Sequence, residues 1–410
     1  MDATTDPVLV SFCVPTYNRA RYLDSLLASL ATELAGFPFR YEVFVADNAS
    51  TDATPQVVAQ HSDTLPLRYH RHEENIGAFA NFQYVHVHAQ GRYVVYVADD
   101  DGILGERVAQ VIARMEREPE IGIAAAPWLM LNLVEDRVEG QFYHQDQDVL
   151  VERGNHVQLL DALLRYRIFP EIYICRKEVA LAAMPRVPEL AFYAFVNAAE
   201  FVAHSAVLLL KDPYYVFVTR YFADDTRTQV GNVEAETAWD RYRGGLEHVL
   251  GRAADRLPPE VLPHYWKEIQ DMLAERIGVA VRLRLHARRD PVETYYLAYR
   301  LKAIARLDRL PAPLDTLRTL AAIAFLQSDP ELNRGMRQLA CLGSFDTALA
   351  STLRQGAKIP VSFGTAVQDL PALDETTLLF VRDANLVQVL GKAGGARVVT
   401  EAQLLRKFPG

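Results

Sequence analysis

The chain has 410 residues, half of them hydrophobic, a mean hydropathy near zero and a formal net charge of −9. That is enough apolar material for two or three globular domains, and it excludes a disordered chain. It also argues against nucleic acid as a partner, because a phosphate-tracking protein carries a basic footprint. Cys13, Cys175 and Cys341 are odd in number and scattered without metal-ligand spacing, as small core residues of a reducing compartment are. The start, Met1 to Asp6, is acidic and polar and lacks the basic and apolar regions of a signal peptide, so the expected location is the cytoplasm.

In chain order, Leu9 to Val14 is a short, nearly continuous apolar run, the pattern of a strand buried on both faces. Asn18 then stands ready to cap a helix whose apolar positions Tyr22, Leu23, Leu26, Leu27 and Leu30 recur at helical spacing. Tyr41 to Ala46 repeats the strand pattern, and Thr54-Pro55 supplies an N-cap and a first-turn proline for the next helix. Phe79, Phe82, Val85 and Ala89 form a further helical stripe that Gly91 ends, and Tyr93 to Val97 is again a strand. His86 and His88 stand two apart on that helix and so face different ways. This alternation predicts a parallel sheet covered by helices.

Ligands of such sheets bind at the carboxyl ends of the strands. The rule groups three loops that are distant in sequence: Pro15-Thr16-Tyr17-Asn18-Arg19, Asp47-Asn48-Ala49-Ser50-Thr51-Asp52, and Asp99-Asp100-Asp101. Three adjacent carboxylates repel one another, so a cation is expected among them, and hard oxygens suit Mg²⁺ or Mn²⁺. Asp47 and Asp52 are equally suited to Asx turns and helix caps.

Leu190 to Leu210 is apolar for most of a bilayer's thickness, but Asn197, Glu200, His204 and Ser205 interrupt it, which predicts a buried helix of a soluble domain. Glu200 and His204 are one turn apart and share a face. Glu234 to Gln327 reads as amphipathic helices broken by Leu257-Pro258-Pro259 and Leu310-Pro311-Ala312-Pro313. Within it Arg276, Arg282, Arg284, Arg288 and Arg289 alternate with apolar residues over 276–289. Such a stretch is read either as a face that rests on an anionic membrane or as a solvated or oligomer-forming face. Leu339 to Gly343, Asp346 to Leu353, Thr377 to Val381, Ala384 to Leu390 and Arg397 to Val399 read as a small α/β domain without a glycine-rich phosphate motif. The expected division is 1–230 for the α/β domain, 231–330 for the helical region and 331–410 for the small α/β domain.

Val14-Pro15-Thr16-Tyr17-Asn18-Arg19, Asp47 to Asp52, Asn75-Ile76-Gly77 with Asn81, and Asp99-Asp100-Asp101 resemble, in this order, the motifs of family 2 glycosyltransferases of bacterial surface-polysaccharide type. The resemblance implies a GT-A fold, Rossmann-like with a mostly parallel sheet. It also implies an inverting, metal-dependent transfer from a nucleoside-diphosphate sugar, UDP-linked in preference, to a hydroxyl of a glycan or lipid-linked acceptor at the inner face of the membrane. Pro15, Thr16, Tyr17 and Arg19 would lie along the nucleotide, and Asp47 would accept the uracil imide hydrogen. Asn75, Gly77, Asn81, Asp99 and Asp100 would complete the donor site, and Asp101 with Asp99 would hold Mn²⁺ or Mg²⁺. For the base that deprotonates the acceptor the family uses a Glu-Asp pair; here Glu135-Asp136 comes early, so Glu200 is the expected base, with Asp136, Glu171, Asp224 and Asp225 as competitors. A nucleotidyltransferase acting on sugar phosphates and a non-catalytic nucleotide-sugar-binding protein are the alternative readings.

Overall fold

The structure is a computed structural model. It describes the chain apart from residues 1–6, 184–189, 226–229, 238, 356, 383, 384, 386–388, 390, 392, 409 and 410. The first 125 residues run β1 (Val10–Thr16), α1 (Ala20–Glu33), β2 (Tyr41–Asp47), α2 (Thr54–His61), β3 (Leu67–Arg71), α3 (Ala78–His88), β4 (Tyr93–Tyr96), β5 (Gly102–Ile103), α4 (Gly105–Arg117) and β6 (Ile121–Ala125), with β3, β5, α4 and β6 additional to the elements read from the sequence. There follow β7 (Trp128–Asn132), β8 (Arg137–Gln141), β9 (Val149–Val151), α5 (His156–Tyr166), β10 (Tyr173–Arg176), α6 (Lys177–Ala183), α7 (Tyr193–His204), β11 (Ala206–Leu209) and β12 (Tyr215–Arg220). The 190–210 segment is thus a helix followed by a strand, and among the described residues no helix is long and apolar enough to cross a membrane.

An eight-stranded sheet runs β3-β2-β1-β4-β10-β6-β11-β9. Its parallel strands are buried on both faces: Val10, Phe12, Cys13 and Val14 of β1, and Val43, Phe44, Val45 and Ala46 of β2, have no exposed surface. The close seating of β4 beside β1 depends on Gly91, where an added Cβ would come within 2.6 Å of the Ser11 amide nitrogen. Register aligns the strand ends, with Thr16 opposite Asp47 and Cys13 opposite Tyr96. The loops after β1, β2 and β4 therefore emerge level on one rim. β10 enters antiparallel between β4 and β6, so its beginning, not its end, lies at that rim. A second sheet, β5-β12-β7-β8, takes over the chain directly after the acidic triplet.

Beyond 230 come α8 (Val230–Thr237), α9 (Trp239–Ala254), α10 (Leu262–His286), α11 (Pro291–Ala303), α12 (Leu314–Ser328), β13 (Gln338–Leu342), α13 (Thr347–Gln355), β14 (Val361–Gly364), β15 (Thr377–Val381), β16 (Arg397–Thr400) and α14 (Glu401–Leu405). The small sheet is wholly parallel in the order β14-β13-β15-β16. The helix expected over Ala384 to Leu390 falls largely outside the described residues.

The chain divides into two compact units, residues 1–227 with 240–269, and residues 228–239 with 270–410. The boundaries differ from the expected 230 and 330 for a packing reason. Ile277, Val281, Tyr295, Leu320 and Ile323 of α10 to α12 share one core with Leu339, Cys341, Leu378, Phe380 and Phe408 of the small α/β region. The same packing leaves the membrane reading of 276–289 without support. Ile277 is 3% exposed and Val281 fully buried, and the Arg284 guanidinium is buried against Thr294 and Glu293, so the apolar side of this stretch is core.

Candidate active site

At the carboxyl rim the β1 loop and the acidic turn are joined directly. The Thr16 hydroxyl donates to Asp99 Oδ2 at 2.7 Å, and the Arg19 guanidinium pairs with Asp100 and lies 3.9 Å from Asp99 Oδ1. Burial and the neighbouring Asp100 push the Asp99 carboxyl up to about 7, against the opposing pull of Arg19, Thr16 and the Tyr17 backbone. Three carboxylates, one of them held this far from its ordinary value, are more negative charge than the guanidinium offsets. A hard divalent cation fits that donor set. Among the described residues no ready-made cluster of three metal-ligating side chains is present.

Asp101 is a structural residue as well as an expected ligand. Its Oδ2 accepts the Tyr215 hydroxyl at 2.8 Å and its Oδ1 accepts the Val218 amide at 3.0 Å. The Tyr215 oxygen in turn accepts from the Ala98 amide at 3.1 Å, and the Tyr221 hydroxyl donates to the Asp101 carbonyl at 3.2 Å. β12 thus clamps the acidic turn from behind. Sequence reading missed Tyr215; the available signal was a tyrosine inside an apolar strand, whose hydroxyl must find a partner when buried.

The second loop is stitched to the first. Asn18, at φ 52°, accepts the Thr51 amide on its side-chain oxygen and donates its own amide to the Ser50 hydroxyl. It therefore does not cap α1; Asp52 does, accepting the Ala20 amide at 2.9 Å while its other oxygen accepts from Thr54. These bonds hold the Asp52 carboxyl below its ordinary range.

Asp47 differs from expectation. Its carboxylate has no exposed surface, with Oδ1 accepting the Ser50 amide at 2.8 Å and Oδ2 the Tyr69 hydroxyl at 2.6 Å. A base could meet this carboxylate only after Tyr69 or Ser50 lets go. Asn81 is likewise internal, 2% exposed, donating to the Ala46 carbonyl and meeting His72 Nε2. Asn75 is exposed and accepts from the Asn48 amide group and from Gly77, which turns the chain into α3 at φ 89°. Tyr17, 44% exposed, the exposed Asn75 and Gly77, and the half-buried Pro15, Arg19 and Asp100 are the accessible members of the expected donor site.

Glu200 lies away from this rim. α7 leads into the amino end of β11, which runs parallel to β6, and Glu200 sits in the second half of the helix. Its carboxylate accepts from His248 Nε2 at 3.1 Å and lies 3.8 Å from the Arg252 guanidinium, both on α9 rather than on its own helix. Asp136 is at the β7–β8 turn with φ 45°, Asp224 pairs with Arg21 at the surface, and Asp225 accepts from the Tyr22 hydroxyl and the Tyr221 amide. Glu171 is the competitor at the carboxyl rim. It precedes β10 by two residues, where that antiparallel strand begins beside the end of β4. Its charge joins Asp99, Asp101 and Asp100 in holding the half-buried Tyr96 phenol up, after desolvation itself.

Residues 11–129 match the profile of the family described as Glycosyl transferase family 2. That stretch is similar to the family 2 glycosyltransferase domain. Among curated relatives, the abequosyltransferase RfbV of Salmonella typhimurium is 29% identical over 152 residues, 37% of this chain and 45% of that protein. The poly(ribitol-phosphate) β-N-acetylglucosaminyltransferase TarS of Staphylococcus aureus is 37% identical over 105 residues, 25% of this chain and 18% of TarS. Each of these matches spans less than half of the relative's length. Among solved structures, residues 1–349 of S. aureus TarS in complex with UDP-GlcNAc align with a TM-score of 0.43 at 21% identity, over 76% of this chain and 90% of that one. The Pyrobaculum calidifontis mannosyltransferase PcManGT in complex with GDP-Man and Mn²⁺ aligns at 0.41 and 18% identity, over 78% and 85%.

Proposed function

We propose that the chain transfers a sugar from a nucleoside-diphosphate sugar, UDP-linked in preference, to a hydroxyl of a saccharide or lipid-linked glycan in surface-polysaccharide synthesis, with inversion at the anomeric carbon. The observation that carries this reading is the rim on which exposed Tyr17, Arg19 and the turn Asp99 to Asp101 meet at the carboxyl ends of a parallel sheet within a family 2 domain. The names of two relatives, an abequosyltransferase and a poly(ribitol-phosphate) β-N-acetylglucosaminyltransferase, support sugar transfer, and the second supports a polymer acceptor.

In this reading Tyr17 offers its ring face to the base or ribose, and Thr16 and Arg19 fix the acidic turn against it. Asp99, with Asp101, would hold Mn²⁺ or Mg²⁺, which supplies charge stabilisation to the departing diphosphate. Inversion requires a base on the far face of the sugar, and Glu171 takes that role in place of Glu200. Its carboxylate accepts the acceptor hydroxyl's proton as that oxygen bonds the anomeric carbon and the bond to the diphosphate oxygen breaks.

A panel of nucleoside-diphosphate sugars with product analysis tests the class. Transfer yields free nucleoside diphosphate; pyrophosphate as product would make the chain a nucleotidyltransferase, and binding without either product would make it a binding protein. Glu171→Gln should leave nucleotide affinity within about threefold while cutting transfer about a hundredfold or more. Unchanged turnover in that variant would remove Glu171 from the mechanism.

A further inference from the structure

The second unit contains a cavity of about 200 Å³ set among the ends of α10, α12 and α13 and the segment before β14. Leu285, Leu320 and Leu353 give it an apolar wall, and Arg288, Lys358 and Gln327 bring cationic and amide donors to it. Two further charged residues line it and are already committed. Arg289 pairs with Glu236 at 2.9 Å, and Asp290 caps α11 by accepting the Glu293 amide at 2.9 Å.

Arg288 and Lys358 are exposed, and among the described residues neither side chain has an ion-pair or hydrogen-bond partner. Gln327 adds a buried Nε2 donor that also lacks a partner, although a buried amide N–H normally has one. Arg288 is placed against backbone preference. It occupies φ 52° at the turn that ends α10, where its amide reaches the Leu285 carbonyl and that of Arg289 the Arg284 carbonyl. Glycine is the usual residue at such a helix end, and a side chain there is strained.

We infer that this cavity is a binding site for a phosphate monoester with a small organic body, of sugar-phosphate size. Two unpaired cations match the near-dianionic charge of a phosphate monoester at neutral pH, and the amide N–H supplies a neutral donor beside them. The leucine wall gives the carbon skeleton an apolar surface that inorganic phosphate does not use. The inference concerns the second unit alone and is independent of the function proposed for the first.

Calorimetric titration of the full chain with glucose 1-phosphate, inorganic phosphate and glucose tests it, with saturating UDP and Mn²⁺ present to occupy the other candidate site. The expected order of affinity is glucose 1-phosphate, then inorganic phosphate, then glucose. The exposed pair Arg288→Gln with Lys358→Gln should weaken glucose 1-phosphate at least about tenfold without changing the melting temperature. Unchanged affinity in that double variant, binding of glucose as tight as that of its phosphate, or no binding up to about 10 mM would each overturn the site.

Discussion

Removing the carboxylate of Asp101 strands two buried donors, the Val218 amide and the Tyr215 hydroxyl. Asp101→Ala is therefore expected to lower unfolding free energy by about 2–5 kcal/mol in a denaturant titration. Any loss of metal-dependent nucleotide binding in that variant must be read against this destabilisation. Asp101→Asn keeps one acceptor oxygen and should fall between the variant and the wild type. Glu200→Gln should leave transfer within a few-fold, because that side chain faces α9; a hundredfold loss would return Glu200 to the site. The acidic triplet was legible in sequence because three adjacent carboxylates after a buried strand are costly without a ligand or a partner. The burial of Asp47 was not legible, since an Asx turn and a ligand contact ask for the same residue in the same place, and no local pattern announces Tyr69 on the neighbouring strand as its partner.

Among the elements, α3 carries an acid-sensitive residue in its buried face. His86 is fully buried, with Nδ1 against the Phe82 carbonyl, and desolvation lowers it from 6.5 to about 4. Between those values the unfolded chain binds the proton and the folded one does not. The native state should therefore lose stability as pH falls from 6.5 towards about 4, by roughly 2–4 kcal/mol in all. Thermal melts across that range check it, and His86→Leu should flatten the slope. α10 gives a second expectation. Val281→Asp places a charge in a fully buried position of the shared core and should cost more than about 3 kcal/mol, seen as loss of cooperative unfolding. The periodicity of this helix showed that one face is apolar, but periodicity alone does not say whether core, membrane or a second copy covers it.

At the scale of the whole molecule, the helices up to 328 and the small parallel sheet stand or fall together. Leu339, Cys341, Leu378 and Phe380 complete the core of Tyr295, Leu320 and Ile323, and Arg318 ties down the last turn through the Leu405 and Phe408 carbonyls. A chain ended at residue 330 should expose that apolar surface, bind a hydrophobic dye and precipitate, whereas a soluble, cooperatively melting fragment would show that the helices need no sheet. The small α/β segment and its elements were readable from turn residues and apolar runs. Its fusion with the helices was not, because long-range packing leaves no local mark in the chain.

The phenol that links Ala98 to Asp101 comes from residue 215, far outside the stretch that carries the family motifs. Substitutions at 101 and 215 should be non-additive, with a coupling of about 0.5–3 kcal/mol in a double-mutant cycle. The same tie sets where this protein can be recombined with its relatives. A chimaera crossed over at 129 would inherit an acidic turn whose clamp was shaped for another parent, while a crossover beyond Arg220 carries turn and clamp together and should return the more stable hybrid.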